Sequence, residues 1–238
     1  MDLDGKAIEL IQTSAKAEHV EKEIGGLIFS TKKMDPVYFD PRPDALQVHS
    51  LTALVDYLKA ENLDHLVPSD IMLHVESPTS VALVGNECGP SRKRTIWMRA
   101  SAQENPFKFG TKYDAETFNI VLQSLFVDTG DRAKVLQLAG TIKSEAVQTD
   151  SDDGITQTVE ARKNIAFAQN AKIPNPVSLV PWRTFREVGQ PGSIFVFRAH
   201  EGPTLSLWEA DGAAWKLEAM LAVKAWLAEQ LPDIAIIA

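Results

Sequence analysis

Apolar and polar positions alternate along this chain in two periods, one helical and one extended, and the order of the two sketches a fold. Between residues 2 and 24, Ile8, Ile11, Ala15, Val20 and Ile24 stand among charges at a spacing that predicts an amphipathic helix, ended by Gly25-Gly26. Its stripe is thin, so it either docks on something, such as a neighbouring subunit, or frays on its own domain. Residues 27–48, broken by Pro36, Pro41 and Pro43, read as a connector with one or two extended pieces. Ser50 is placed as an N-cap, and Leu51, Leu54, Val55 and Leu58 follow at helical spacing. Segments 71–75 and 81–84 predict two strands, with Ser77-Pro78-Thr79-Ser80 as the hairpin between them. Segment 95–102 predicts a third, with Ile96 and Met98 on one face and Trp97 and Arg99 on the other.

Helical spacing returns over 113–126, through Phe118, Val121, Leu122 and Leu125, and again over 131–139, with Val135 and Leu138 inward and Gly140 closing. Segments 141–148 and 155–162 are extended by pattern, and Asp153-Gly154 between them signals a hairpin. Pro174, Pro176 and Pro181 confine the next strands to short or edge pieces. Segments 193–199 and 204–208 read as strands, with Phe195 and Phe197 in the first. The clearest helix is 213–231, carrying Trp215, Met220, Val223, Trp226 and Leu227 and stopped by Pro232. The apolar tail 234–238 is placed to add a strand to a sheet. The fold class expected is α+β, with a helix-rich N-terminal half, an antiparallel β-rich C-terminal half and a long C-terminal helix. Residues 1–34 are expected to form a helical arm, and 35–238 a single α+β domain with a soft internal division near 140.

Composition changes this picture in three places. A length of 238 residues allows a core that needs no disulfide or metal. A net charge of −8 argues against a general binder of double-stranded DNA, though not against a local basic groove. The one cysteine, Cys88, excludes an internal disulfide and a cysteine-based zinc site. The N-terminal Met-Asp-Leu-Asp-Gly-Lys lacks a basic and then apolar leader, and no run approaches the ~20 apolar residues of a membrane helix. A cytoplasmic protein without a membrane segment is expected.

Catalytic chemistry leaves no signature. Counted from Asp150, with Asp152 and Asp153 following, glycine falls at the fifth position and Glu160 at the eleventh, so a calcium-loop pattern fails and a hairpin turn remains. His19, His49, His65, His74 and His200 form no i, i+4 pair, and no phosphate loop, dinucleotide fingerprint or nucleophile elbow is present. No catalytic residue, cofactor or metal is expected. Two stretches are basic and aromatic against the acidic whole: Arg92-Lys93-Arg94 with Trp97 and Arg99, and Trp182-Arg183-Thr184-Phe185-Arg186 with Phe195, Phe197 and Arg198. Arginine interleaved with aromatics can stack bases and pair phosphates, and the same residues dominate protein interfaces. A third reading puts the aromatics in the core and the arginines on its surface. The candidate interface or ligand contacts are therefore Trp182, Arg183, Phe185, Arg186, Arg198, Arg92, Arg94 and Trp97.

The run Ser151-Asp-Asp-Gly-Ile-Thr-Gln-Thr-Val-Glu-Ala-Arg162 resembles a hairpin of uncharacterised proteins from tailed phages and prophages. Segments 174–185, 190–198, 48–58 and 116–124 are similar to the same group, and a more distant likeness is to the YfdQ-type prophage family. The resemblance runs from about residue 35 to the end. It implies a phage or prophage origin and a host-cytoplasmic setting, and it carries no catalytic residues. Together these readings predict a non-enzymatic protein that self-assembles into a closed homo-oligomer, a ring or barrel, and binds or sequesters a host or phage protein or a nucleotide ligand. Two alternatives stay open: a single-strand-binding or recombination accessory factor, and an enzyme whose site is assembled from distant residues.

Overall fold

The computed structural model describes residues 5–6, 21–24, 27–30, 44–60, 64, 66–88, 93–143, 146–152, 157–162, 169–172, 175–200 and 204–238. The chain divides into two compact units, Met1–Arg42 and Pro43–Ala238. In the first, β1 (Glu21–Ile24) pairs antiparallel with β2 (Leu27–Ser30), Ile24 opposite Leu27. Residues 21–24, expected to end a helix, are therefore a strand. Gly-Gly between apolar flanks stops a helix, but it is equally a hairpin connection. Residues 7–20, the middle of that expected helix, lie outside the described residues.

The second unit begins with β3 (Leu46–Val48), α1 (Leu51–Lys59), β4 (Ile71–Ser77), β5 (Ser80–Cys88) and β6 (Lys93–Ser101). Next come β7 (Tyr113–Asp114), α2 (Ala115–Leu125), α3 (Arg132–Lys143), β8 (Ala146–Asp152), β9 (Gln157–Arg162) and β10 (Gln169–Lys172). It ends with β11 (Val177–Leu179), β12 (Ser193–His200), β13 (Thr204–Glu209), α4 (Trp215–Gln230) and β14 (Ala235–Ile237). Local chemistry explains the boundaries. The Ser50 side chain accepts from the Ala53 amide to cap α1, and one Asp114 oxygen accepts from the Glu116 and Thr117 amides to cap α2. At the far end of α4, Leu231 leaves helical geometry immediately before Pro232, whose ring the helix could not continue through.

Strands β14-β4-β5-β6-β3 form a mixed five-stranded sheet in that order, with β14 parallel to β4 and β3 parallel to β6. Strands β11-β12-β13-β7 form a four-stranded antiparallel sheet, and β10-β9-β8 a three-stranded one. The expected fold class is overturned by this order. Among the described residues the N-terminal half is not helix-rich: β1 to β7 lie before residue 115, and the larger sheet is drawn almost wholly from that half. The described residues form a mixed α+β arrangement. The expectation failed because the short strands β1, β2 and β3 give only three or four residues each to read, and β3 is completed by a partner as distant as β6. A smaller correction falls at Gly140, which does not close α3; the helix runs on to Lys143, and the expected strand from 141 starts only at 146.

Two cores result. In one, Phe118 and Leu122 of α2 and Val135 of α3 pack on Phe195 and Phe197 of β12 and Leu207 of β13. Phe107 joins them, stacked on Tyr113 at 5.0 Å and edge-on to Phe126 at 5.3 Å. In the other, Leu54 of α1 and Val223 and Leu227 of α4 cover Leu73, Leu83 and Met98 of the five-stranded sheet. Among the described residues no helix is long and apolar enough to cross a membrane.

Candidate functional site

The segment from Trp182 to Gln190 links the two cores without helix or strand, so its backbone needs other partners. Gln190 supplies them. Its Oε1 accepts from the amides of Arg183 (2.9 Å) and Thr184 (3.1 Å), and its Nε2 donates to the carbonyls of Phe185 (2.9 Å) and Val188 (3.3 Å). Thr184 Oγ1 donates to the Pro78 carbonyl in the β4–β5 turn at 2.5 Å. Phe185 is 1% exposed and belongs to the second core.

Arg183 is 6% exposed. Its guanidinium donates to Glu209 Oε1 at 2.6 Å and to Ser193 Oγ, and Ser193 in turn donates to Asp211. It lies over the Trp215 ring at 4.0 Å and faces Phe195 at 5.8 Å. Burial pulls its pKa below the usual arginine value, against the pull of Glu209 and Asp211. Arg183 and Phe185 are thus committed to contacts inside the chain and offer no surface to a partner.

Arg186 is exposed and rests on the Trp182 ring, 3.9 Å from its centroid. With His49, Gln103 and Glu187 it lines a cavity of about 200 Å³ at the start of α1. Glu187 Oε1 accepts there from the Thr52 amide (2.9 Å) and hydroxyl (3.1 Å), so a carboxylate of the chain already satisfies the helix N-terminus. His49 Nδ1 donates to the Ser101 carbonyl at 3.3 Å.

Arg198 stands on the outer face of the four-stranded sheet, because alternate residues of β12 point away from the core. Ile194, Val196 and His200 share that face, and Trp208 sits opposite Val196 on β13. Trp208 is 51% exposed and Ile194 41%. Trp208 Nε1 donates to Ser206 Oγ at 3.1 Å, and the same oxygen is 2.9 Å from His200 Nε2. Burial, followed by the charges of Lys112 and Arg198, holds the His200 pKa below its usual value, which favours the neutral ring. Ser206 is fully buried, so this serine–histidine pair offers no accessible nucleophile.

The other stretch lies elsewhere in the unit. Arg92 is outside the described residues. Arg94 donates to the Gly85 carbonyl at 3.4 Å, and Arg99 pairs with both carboxylate oxygens of Glu76 at 3.0 and 3.1 Å. Trp97 lines an open cleft of about 400 Å³ with Asp64, Asp70, Asn86 and Thr95. The described walls of that cleft are acidic, whereas the sequence suggested a basic surface around Trp97.

Sequence reasoning missed Gln190, Glu187, Trp208, Asp64 and Asp70. Trp208 had a readable signal, an aromatic out of phase with the buried Leu205 and Leu207. Glu187 acts on Thr52, 135 residues away, and Gln190 and Asp64 act on groups 2 to 7 residues away, none of which follows the period of a helix or strand; Asp70 is bonded by its neighbour Ser69 and gave no signal of a site. Among the described residues no group of His, Cys, Asp and Glu is arranged to hold a metal ion. Comparisons with protein-family models, with curated proteins and with solved structures find no match to this chain.

Proposed function

We propose that this chain is a non-enzymatic, phage- or prophage-encoded protein that self-assembles into a closed homo-oligomer and binds a host or phage component in the host cytoplasm. The origin rests on the sequence resemblance over residues 35–238. The observation that carries the association is the outer face of the four-stranded sheet. There Trp208 and Ile194 are about half exposed beside Val196 and Arg198. Tryptophan and arginine are enriched among the residues that carry most of the energy of protein interfaces. Covering the exposed half of one indole removes on the order of 100 Å² from water, worth about 2 to 3 kcal/mol, and a closed assembly repeats that gain at every contact. The nucleic-acid alternative draws less support, because Arg99 and Arg183 are paired with Glu76 and Glu209.

Sedimentation velocity at micromolar concentration tests the reading. One discrete species larger than a monomer supports it, and I194K, which places a charge on the face without touching the core, should dissociate that species. A wild-type monomer, or an assembly unmoved by both I194K and Trp208→Ala, would overturn it.

A further inference from the structure

The cleft beside Trp97 has the size and the chemistry of a binding site in its own right. Its volume, about 400 Å³, lies within the ~300–1,000 Å³ usual for small-molecule pockets. It opens at the end of the five-stranded sheet, where the short turn at Pro68–Asp70 leads into β4 and faces β5 and β6. Three features mark its walls. The first is an aromatic side: Trp97 is half-buried, and its indole nitrogen edge lies against Gly85, where an added Cβ would stand only 2.9 Å from Nε1. The absence of a side chain at residue 85 is what lets the ring lie there.

The second feature is a pair of positioned carboxylates. Tyr57 donates its phenol to Asp64 Oδ2, and Ser69 donates its hydroxyl to Asp70 Oδ1 at 3.1 Å. Asn86 Nδ2 reaches the Ser69 carbonyl at 3.5 Å and ties the turn to β5. The third is electrostatic. The Tyr57 phenol is pushed up to about 12, by burial first and then by the hydrogen bond to Asp64 and that residue's charge. Both aspartates are exposed, so each reaches the cleft without having paid a large desolvation penalty. Among the described lining residues there is no lysine, arginine or histidine, and Arg94, beside the cleft, donates to the Gly85 carbonyl.

We infer that this cleft binds a small organic cation, an alkylammonium or guanidinium compound, with its charge between Asp64 and Asp70 and its carbon skeleton against Trp97. An indole face attracts a cation and covers methylene groups at the same time, and two fixed carboxylates select charge over a neutral polar ligand. An anionic ligand, a nucleotide included, would meet like charge in the same place. The inference is independent of the association proposed above, since neither aspartate nor Trp97 lies on the four-stranded sheet.

Isothermal titration of the full chain with 1,4-diaminobutane and with agmatine tests it, with methyl glucoside as the neutral control. Saturable binding of a cation is expected, weakened by added salt and reduced ~tenfold or more in D64N/D70N. D70N alone, which removes one of the two charges and keeps an oxygen that can accept from Ser69, should give a smaller loss in the same direction with an unchanged melting temperature. G85A, which forces the Trp97 ring to move, should also weaken binding. No saturable heat with either cation up to ~10 mM would overturn the inference. So would cation affinity unchanged in folded D70N and D64N/D70N, or glucoside binding that survives them.

Discussion

Methionine at position 183 should be tolerated where alanine is not, because the Arg183 network is close to energetically neutral. Its guanidinium is almost wholly buried, and its lowered pKa has burial as the largest cause, so the charge is less favourable here than in water even with its partners in place. Against an effective desolvation penalty of several kcal/mol stand two charge-assisted hydrogen bonds, each worth about 1.5 to 3 kcal/mol net, and stacking on Trp215 worth up to about 2. These terms cancel to within a few kcal/mol. Arg183→Met keeps an unbranched stem between Phe195 and Trp215. It leaves behind a Glu209 that is 32% exposed and can be rehydrated, and a Ser193 still bonded to Asp211. The expected cost of R183M is within about 1 kcal/mol. R183A adds a void and should cost about 2 to 4 kcal/mol. E209Q removes the counter-charge and keeps the buried cation, and should cost about 1 to 3 kcal/mol. Urea unfolding followed by circular dichroism measures the series. Because an arginine stays charged well above neutral pH, the ranking should be flat between pH 5 and 9. R183M as damaging as R183A would refute the reasoning, since the charge itself would then be supplying the stability.

Two further outcomes follow from the loop between α2 and α3. Gly130 has φ +62°, and a Cβ there would lie 2.6 Å from the Ser178 carbonyl oxygen, so G130A should lower stability by about 2 to 4 kcal/mol in the same urea assay. Asp131 accepts from Lys134 at 2.8 Å and from the Ser178 amide at 3.0 Å, and those bonds hold its carboxyl below the ordinary carboxylate value, the Lys134 bond most of all. A depressed folded pKa contributes stability that is complete above the unfolded value of about 3.9 and is lost as pH falls through the folded one. The gap in melting temperature between wild type and D131N should therefore be widest near pH 6 and shrink toward pH 2. A gap that stays constant would show that the carboxylate charge is not what stabilises the loop.

Where an element carried its own period and its own cap, the sequence was enough to place it. Ser50 before Leu51, Leu54 and Val55 located α1, Ser77 to Ser80 located the β4–β5 turn, and Pro232 located the end of α4. The terminal strand 235–237 was also expected, though its parallel pairing with β4 was not. What could not be read was completed at a distance. Glu187 finishes a helix that starts 135 residues earlier, and Gly85 seats a tryptophan on the adjacent strand. Arg183 and Arg198 look alike in sequence, yet the first is enclosed by Phe195 and Trp215 and the second lies on the opposite face of the same sheet. Arg198 owes its side to the phase of β12, whereas Arg183 lies in a segment with no period of its own, so its burial shows only once the cores are assembled.

Gln190 gives the molecule a mechanical property that neither core has alone. By bonding four backbone groups between Arg183 and Val188, one amide side chain turns an irregular crossing into a strut without slack. One end of the strut is fastened to Phe195 through Arg183, and Phe185 and Val188 are sunk in the other core. Loosening either core therefore strains the other. The unit should unfold as one cooperative block, and the amides of Arg183 and Thr184, though in no helix or strand, should exchange with solvent as slowly as the core itself.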